Sequence, residues 1–194
     1  FLIFIPYSFI LRRMAARRAI IRRLAAVETL GSCTVIGSDK TGTLTENRMT
    51  VQRVVTGGRE YEVTGVGYDP RGDILLGGET ARIEEGSPLH LTLLGGTLCN
   101  EASAVEADGT FDVAGDPTEI ALLVAAAKAG LFKDELEERY TRFAEIPFDP
   151  GLRYAATFHR DGDRRLVFVK GAPEEVAAMC AGEATGGPVD REAT

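Results

Sequence analysis

The chain has 194 residues, 44% of them hydrophobic and 26% charged, a globular composition that argues against a disordered chain and allows one or two packed domains. Its formal net charge of -7 is unevenly placed: residues 1–23 hold six arginines and no acid, and the remainder holds 16 basic against 29 acidic residues, so the two parts face different surroundings. Cys33, Cys99 and Cys180 stand far apart with no C-x-x-C pair and only His90 and His159 to assist, which argues against a disulfide framework or a zinc site and for buried thiols in a reducing compartment.

In chain order, residues 1–11 (FLIFIPYSFIL) are apolar and run directly into the pairs Arg12-Arg13, Arg17-Arg18 and Arg22-Arg23. A spanning helix needs about 20 residues, so this stretch is either the inner end of a longer membrane helix or a short interfacial or buried segment, with its arginines on the cytoplasmic side. A solvated basic helix is the alternative, whereas a secretory signal fits poorly because the charge follows the apolar run. Residues 14–30 read as helix, stopped at Gly31-Ser32, and residues 33–37 (CTVIG) read as a short buried parallel strand ending on Ser38-Asp39. Asp39 would then lie at the carboxyl end of a strand, where open α/β sheets place their ligands.

Beyond Thr45 the pattern changes to alternating strands with turn punctuation. Residues 49–55 and 61–63 flank Gly57-Gly58, and Asp69-Pro70-Arg71-Gly72 marks another turn. Residues 91–98 read as helix, 111–113 as strand, 118–129 as a helix entered through Asp116-Pro117, and 132–140 as helix. Residues 155–159 and 165–169 form a hairpin across Asp161-Gly162-Asp163, and 173–179 open a last helix at Pro173. Residues 182–194 show no apolar periodicity. The sum is an α+β domain inserted behind the start of an α/β domain.

Asp39-Lys40-Thr41-Gly42-Thr43-Leu44-Thr45 sets a carboxylate beside a cation, hydroxyls and a flexible glycine. An aspartate can attack a terminal phosphorus and form an acyl phosphate if positive charge offsets the repulsion of two anions. DKTGTLT resembles the phosphorylation signature of the P-type ATPases, of the haloacid dehalogenase-like fold group, and the likeness extends over residues 12–51 to the membrane-proximal connection of calcium-type and related cation pumps. The resemblance implies that Asp39 is the phosphorylated nucleophile, that Thr41 gives its carbonyl to magnesium and its hydroxyl to phosphate, and that Lys40 lies beside them. Asp39 and Thr41 are thus the implied magnesium ligands. Gly37 departs from the cysteine or threonine common in the family, and Pro6 does not align with the ion-binding proline motif, which leaves the ion unidentified.

Three further segments carry the resemblance. Gly115-Asp116-Pro117-Thr118-Glu119 is similar to the loop that opens a helix of the family's nucleotide-binding domain, with Glu119 facing the adenine amino group; on its own it is equally a capped helix start. Pro147-Phe148-Asp149-Pro150-Gly151-Leu152-Arg153 is similar to the segment whose phenylalanine stacks on adenine, which implies Phe148 and Arg153 as nucleotide contacts. Leu152 stands where a basic residue is usual, and Phe148 taken alone reads as a core residue. Lys170-Gly171-Ala172-Pro173-Glu174 matches the KGAPE signature, implying Lys170 and Gly171 at the nucleotide. Leu98-Cys99-Asn100 also recurs in the family and is assigned to helix packing.

These readings imply an antiparallel-sheet nucleotide-binding domain with flanking helices, inserted after the first strand of an incomplete haloacid dehalogenase-like α/β phosphorylation domain. Residues 1–30 would be the cytoplasmic end of a membrane helix and a basic connecting helix. Residues 31–48 would start the phosphorylation domain, and 49–194 would be the nucleotide-binding domain. ATP and magnesium are the expected ligands, and the partners are a transported cation and the membrane of the full-length protein; nucleic acid is not expected. Two rivals stay open: a nucleotide-binding module without catalysis, and a soluble phosphatase or phosphomutase of the same fold group. The latter would place a second aspartate where Thr41 stands.

Overall fold

The computed structural model describes residues 4–19, 31–107 and 110–182. The chain divides into two compact units, Phe1–Glu46 and Asn47–Thr194. In the first, helix α1 (Phe4–Ala15) takes up the apolar run, with Pro6 in its first turn, where a missing N–H costs no helical bond, and Arg12 and Arg13 in its last. Arg18 adopts a positive φ of 61°, so a single helix from Met14 onward is not formed; residues 20–30 lie outside the described residues. Among the described residues no helix is long and apolar enough to cross a membrane.

The expected strand at residues 33–37 is also absent. Its residues have no regular structure, and Val35 and Ile36 are each 84% exposed. A parallel strand is stabilised by ladder partners and by burial of both faces, and no described strand forms a ladder with this segment. Cys33 and Cys180 are exposed, against the expectation of burial; Cys99 alone of the three is buried.

The second unit contains three antiparallel sheets and four helices among the described residues. The first sheet has the order β1-β2-β3-β4, from strands β1 (Arg53–Thr56), β2 (Arg59–Val63), β3 (Ile74–Leu76) and β4 (Glu79–Thr80). Its hairpins turn at Gly57-Gly58 and Gly77-Gly78. Strands β5 (Ser103–Ala107) and β6 (Thr110–Ala114) form a two-stranded ribbon, and β7 (Thr141–Asp149), β8 (Tyr154–Asp161) and β9 (Arg164–Gly171) form a meander with β8 at its centre.

Helix α2 (Pro88–Leu98) joins the parts. It contains no Asp, Glu, Lys or Arg and is apolar around most of its circumference, as a helix buried on several sides must be. Leu89 and Leu93 pack with Tyr61, Val63 and Ile74 of the first sheet. Leu94 and Leu98 pack instead with Tyr140, Leu166 and Phe168. A third cluster places Ile120, Leu123 and Val124 of helix α3 (Pro117–Ala127) against Ala102. Helices α4 (Lys133–Arg139) and α5 (Pro173–Met179) are short and bury no residue completely.

Proline occupies the first turn of α2, α3 and α5, and side chains cap the first two: Ser87 Oγ accepts from the His90 N–H, and Asp116 Oδ1 accepts from the Thr118 N–H at 2.8 Å. Asp116→Ala is expected to cost about 1 kcal/mol at neutral pH. The Thr118 N–H, then the Thr118 hydroxyl, hold the Asp116 carboxyl below its ordinary value of 3.8. A carboxyl with a depressed native pKa stabilises above the unfolded value and loses that contribution as the pH falls through the native one. Urea unfolding of both proteins should therefore show a stability gap at neutral pH that closes below pH 3.8. A gap that persists undiminished in acid would contradict the charged cap.

Candidate nucleotide cleft

The cleft is built where α2 ends, α3 begins and β7 passes alongside. Asn100 is 1% exposed, and its side chain ties these elements together. Its amide Nδ2 donates to the Gly96 carbonyl at 3.0 Å and to the Glu119 carbonyl at 2.9 Å, and its Oδ1 accepts from the Ala102 N–H at 2.9 Å. A buried amide satisfied on both ends fixes the turn after α2 relative to the first turn of α3. Glu119, at the third position of α3, therefore projects from a rigid base.

Both oxygens of Glu119 are engaged. Oε1 receives the Lys170 ammonium at 2.6 Å and Oε2 accepts from the Glu101 N–H at 3.1 Å. The side chains of Lys170 and Glu119 are 30% and 21% exposed, so this pair is partly shielded from water and screened less than a surface ion pair.

Strand β7 contributes the aromatic. Its pairing with β8 shifts register between Ile146 and Asp149, so Pro147 and Phe148 stand opposite the single residue Ala155. Proline has no N–H for the ladder, and a bulge at that point re-aims the next side chain. Phe148 is 64% exposed; the core reading of this residue does not hold. It borders a cavity of about 160 Å³ whose other walls include Cys99, Asn100, Glu119, Glu145 and Thr157. That volume is below the roughly 300–1,000 Å³ of clefts that enclose drug-sized molecules, and suits one flat ring system with the rest of a ligand outside. Burial pushes the Cys99 thiol up from its ordinary value, with its Sγ 3.6 Å from the Ala155 carbonyl. It remains a neutral thiol at neutral pH.

Of the residues expected at this site, the structure brings Glu119 and Phe148 to one cleft and joins Lys170 to it through Glu119. Gly171 does not line it. A Cβ at this position would lie 2.5 Å from the Arg153 carbonyl oxygen and 2.5 Å from Tyr154 Cβ, so the close approach it permits is to the chain's own β8. Arg153 has a positive φ of 60° and closes the turn that Asp149 Oδ1 caps by accepting from the Gly151 and Leu152 N–H groups. Its guanidinium pairs with Glu174 and Glu175 at the start of α5, and it too is not among the lining residues.

Asp39, Lys40 and Thr41 lie in the first unit on an exposed turn. The Lys40 carbonyl accepts from the Leu44 and Thr45 N–H groups, each at 3.1 Å, and Gly42 supplies the positive φ of 74° that the turn requires. The Gly42 N–H donates to Thr45 Oγ1 at 3.3 Å.

Glu101, Arg142 and Glu145 carry no signal in the sequence that singles them out. Leu98-Cys99-Asn100 does, as a packing segment; Leu98 is core, and Cys99 and Asn100 are also cleft wall.

The fold and cleft define an α+β domain with a small cleft bordered by an exposed aromatic and an anchored carboxylate. The profile of the family described as P-type ATPase, cytoplasmic domain N, matches residues 89–187, just over half of the chain, and the chain belongs to that family. It is 49% identical over 173 residues to the "Cation-transporting ATPase pma1" of Synechocystis, covering 87% of this chain and 19% of that protein. It is 42% identical over 171 residues to the "Calcium-transporting ATPase" of Bacillus subtilis, covering 88% and 19%. The bovine "Calcium-transporting ATPase type 2C member 1" is 42% identical over 173 residues, with 87% and 18% covered. The chain thus spans about a fifth of the length of these curated relatives.

Proposed function

We propose that this chain is the part of an ATP-driven cation pump that holds ATP and supplies the aspartate accepting its terminal phosphate. The observation that carries the reading is the exposed Phe148 over a ring-sized cleft with Glu119 on its wall. Phe148 stacks on adenine, and Glu119 accepts from the exocyclic amine. Lys170 neutralises Glu119, so that carboxylate does not face an anionic nucleotide uncompensated. Gly171 and Arg153 shape the neighbouring strand and turn. The names of the relatives support a cation as the transported species, and the description of the family as a cytoplasmic domain supports a location at the cytoplasmic face of a membrane.

In the reaction, an Asp39 carboxylate oxygen attacks the terminal phosphorus of ATP, the bond from that phosphorus to the bridging oxygen breaks, and ADP leaves with the electron pair. Water later cleaves the acyl phosphate, returning the carboxylate and releasing phosphate. Lys40 adds positive charge near the incoming anion, and the Thr41 hydroxyl donates to phosphate oxygen. Magnesium takes oxygen ligands, and the Asp39 carboxylate with the Thr41 carbonyl fits that preference; when bound it supplies charge against the repulsion of two anions. Among the described residues no group of three or more His, Cys, Asp or Glu side chains could hold a metal. The motif further supports residues 31–48 as the start of a haloacid dehalogenase-like phosphorylation domain. In this reading residues 49–194 are the nucleotide-binding insertion, and residues 1–30 connect to the membrane.

Titration calorimetry of the chain with AMP and ATP tests the nucleotide site. Lys170 is committed to Glu119, and Arg153 to Glu174 and Glu175, so the base should dominate and the two nucleotides should bind with similar affinity. A strong preference for the triphosphate would sink this account of the cleft. No binding of either would favour a role without nucleotide.

A further inference from the structure

Glu119 has two anchors: Lys170 on Oε1 and the Glu101 backbone N–H on Oε2. The second depends on where the turn after α2 sits, and that turn is gripped from β7 by one side chain. Arg142 Nη1 donates to Glu101 Oε1 at 2.6 Å and to Glu145 Oε2 at 2.8 Å, and Nη2 donates to the Asn100 carbonyl at 3.2 Å. The Arg142 side chain is 22% exposed, while Glu101 and Glu145 are 68% and 46% exposed. The guanidinium therefore sits inside, with its carboxylate partners on the solvent side. Lys133 supports the same turn, donating to the carbonyls of Asn100 and Ala102 at 2.8 and 2.7 Å. Arg142 and Lys133 are also near Glu137, at 4.0 and 3.7 Å.

Glu101 and Glu145 both line the cleft that holds Glu119 and Phe148. The planar fork of an arginine can serve two carboxylates and a carbonyl at once; a lysine offers a single charge centre on a flexible stem. We propose that Arg142 is a positioning residue for base recognition: by holding Glu101 and the Asn100 carbonyl it fixes the backbone N–H that aims the Glu119 carboxylate into the cleft. This rests on the reading that Glu119 meets the adenine amino group. A carboxylate held at a fixed angle accepts from the 6-amino group of adenine and repels the 6-oxo group of guanine, whereas one free to swing away does neither well.

The test compares AMP and GMP by calorimetry for the unaltered chain, Glu119→Ala, Arg142→Gln and Arg142→Lys, with thermal unfolding of each. The unaltered chain should prefer AMP, and Glu119→Ala should remove most of that preference. Loss of the anchoring hydrogen bonds in Arg142→Gln should reduce the AMP-to-GMP affinity ratio by about three- to tenfold, and Arg142→Lys should fall between. The ratio is the deciding readout, because a purely structural role lowers the unfolding temperature without changing the selectivity of the molecules that stay folded. If Arg142→Gln does not fold, Arg142→Lys carries the comparison. Loss of selectivity in Glu119→Ala with full retention in the folded Arg142 variants would overturn the role of Arg142 alone. An unchanged ratio in Glu119→Ala would overturn the reading of Glu119, and the positioning role with it.

Discussion

In the full-length protein, Asp39→Asn is expected to abolish the phosphorylated intermediate formed from ATP, while nucleotide binding survives. The substitution removes the carboxylate oxygen that must bond to phosphorus and puts in its place an amide, a far poorer nucleophile, at almost unchanged volume. The surrounding turn does not depend on the lost group. It is held by the Lys40 carbonyl with Leu44 and Thr45 and by Gly42 with Thr45, and Asp39 itself is exposed. The nucleotide cleft lies wholly within residues of the second unit, so its affinity for AMP should be the same in the variant. The measurement is acid-stable, hydroxylamine-sensitive labelling from radioactive ATP in the presence of magnesium and the transported ion. Labelling that persists in Asp39→Asn would remove Asp39 from the reaction.

The parts of the fold legible from sequence are those whose signals are local. The last helix is expected at residues 173–179 and is formed over Pro173–Met179, because proline at the first position and two acids in the first turn mark its start unambiguously. The helix expected at 118–129 spans Pro117–Ala127 behind the Asp116 cap. Strand β7 has no such local signal although it is the longest of the described strands, at nine residues. Its two register shifts break the alternation of faces, and Pro147 within it argues against a strand in any local reading. Strands β3 and β4, of three and two residues, are too short to announce themselves. Residues 33–37 go the other way: a β-branched run has the composition of a buried strand, yet composition supplies no neighbours.

The site divides along the same line. Glu119, Phe148 and Lys170 belong to segments similar to known motifs, so each can be named without sight of its neighbours. What the motifs do not show is the division of labour around them. Gly171 yields to Tyr154 packing, and Arg153 pairs with Glu174 four residues beyond Lys170. The Arg142 cluster joins residues 41 positions apart in the chain, and nothing near Arg142 in the sequence announces it. By charge composition alone Glu101 and Glu145 look like solvated surface.

Phe148→Ala should weaken AMP binding by about 1–3 kcal/mol, the contribution of an aromatic stacked on a base, which corresponds to roughly fivefold to 150-fold in the dissociation constant. The fold should tolerate the change. A phenylalanine in a core loses about 3–5 kcal/mol of stability on truncation to alanine, but Phe148 is 64% exposed and stands on a bulge where Pro147 already interrupts the ladder, so its removal leaves little cavity. Phe148→Leu separates stacking from mere apolar contact: leucine keeps a comparable hydrophobic surface at the cleft mouth and lacks the flat π-face that a purine requires. Calorimetry should therefore show Leu close to Ala rather than close to the unaltered chain, with thermal unfolding of both near that of the parent. Equal AMP affinity in all three folded proteins would mean that the ring does not stack on the base, and would leave Glu119 and Lys170 as the recognition elements of the cleft.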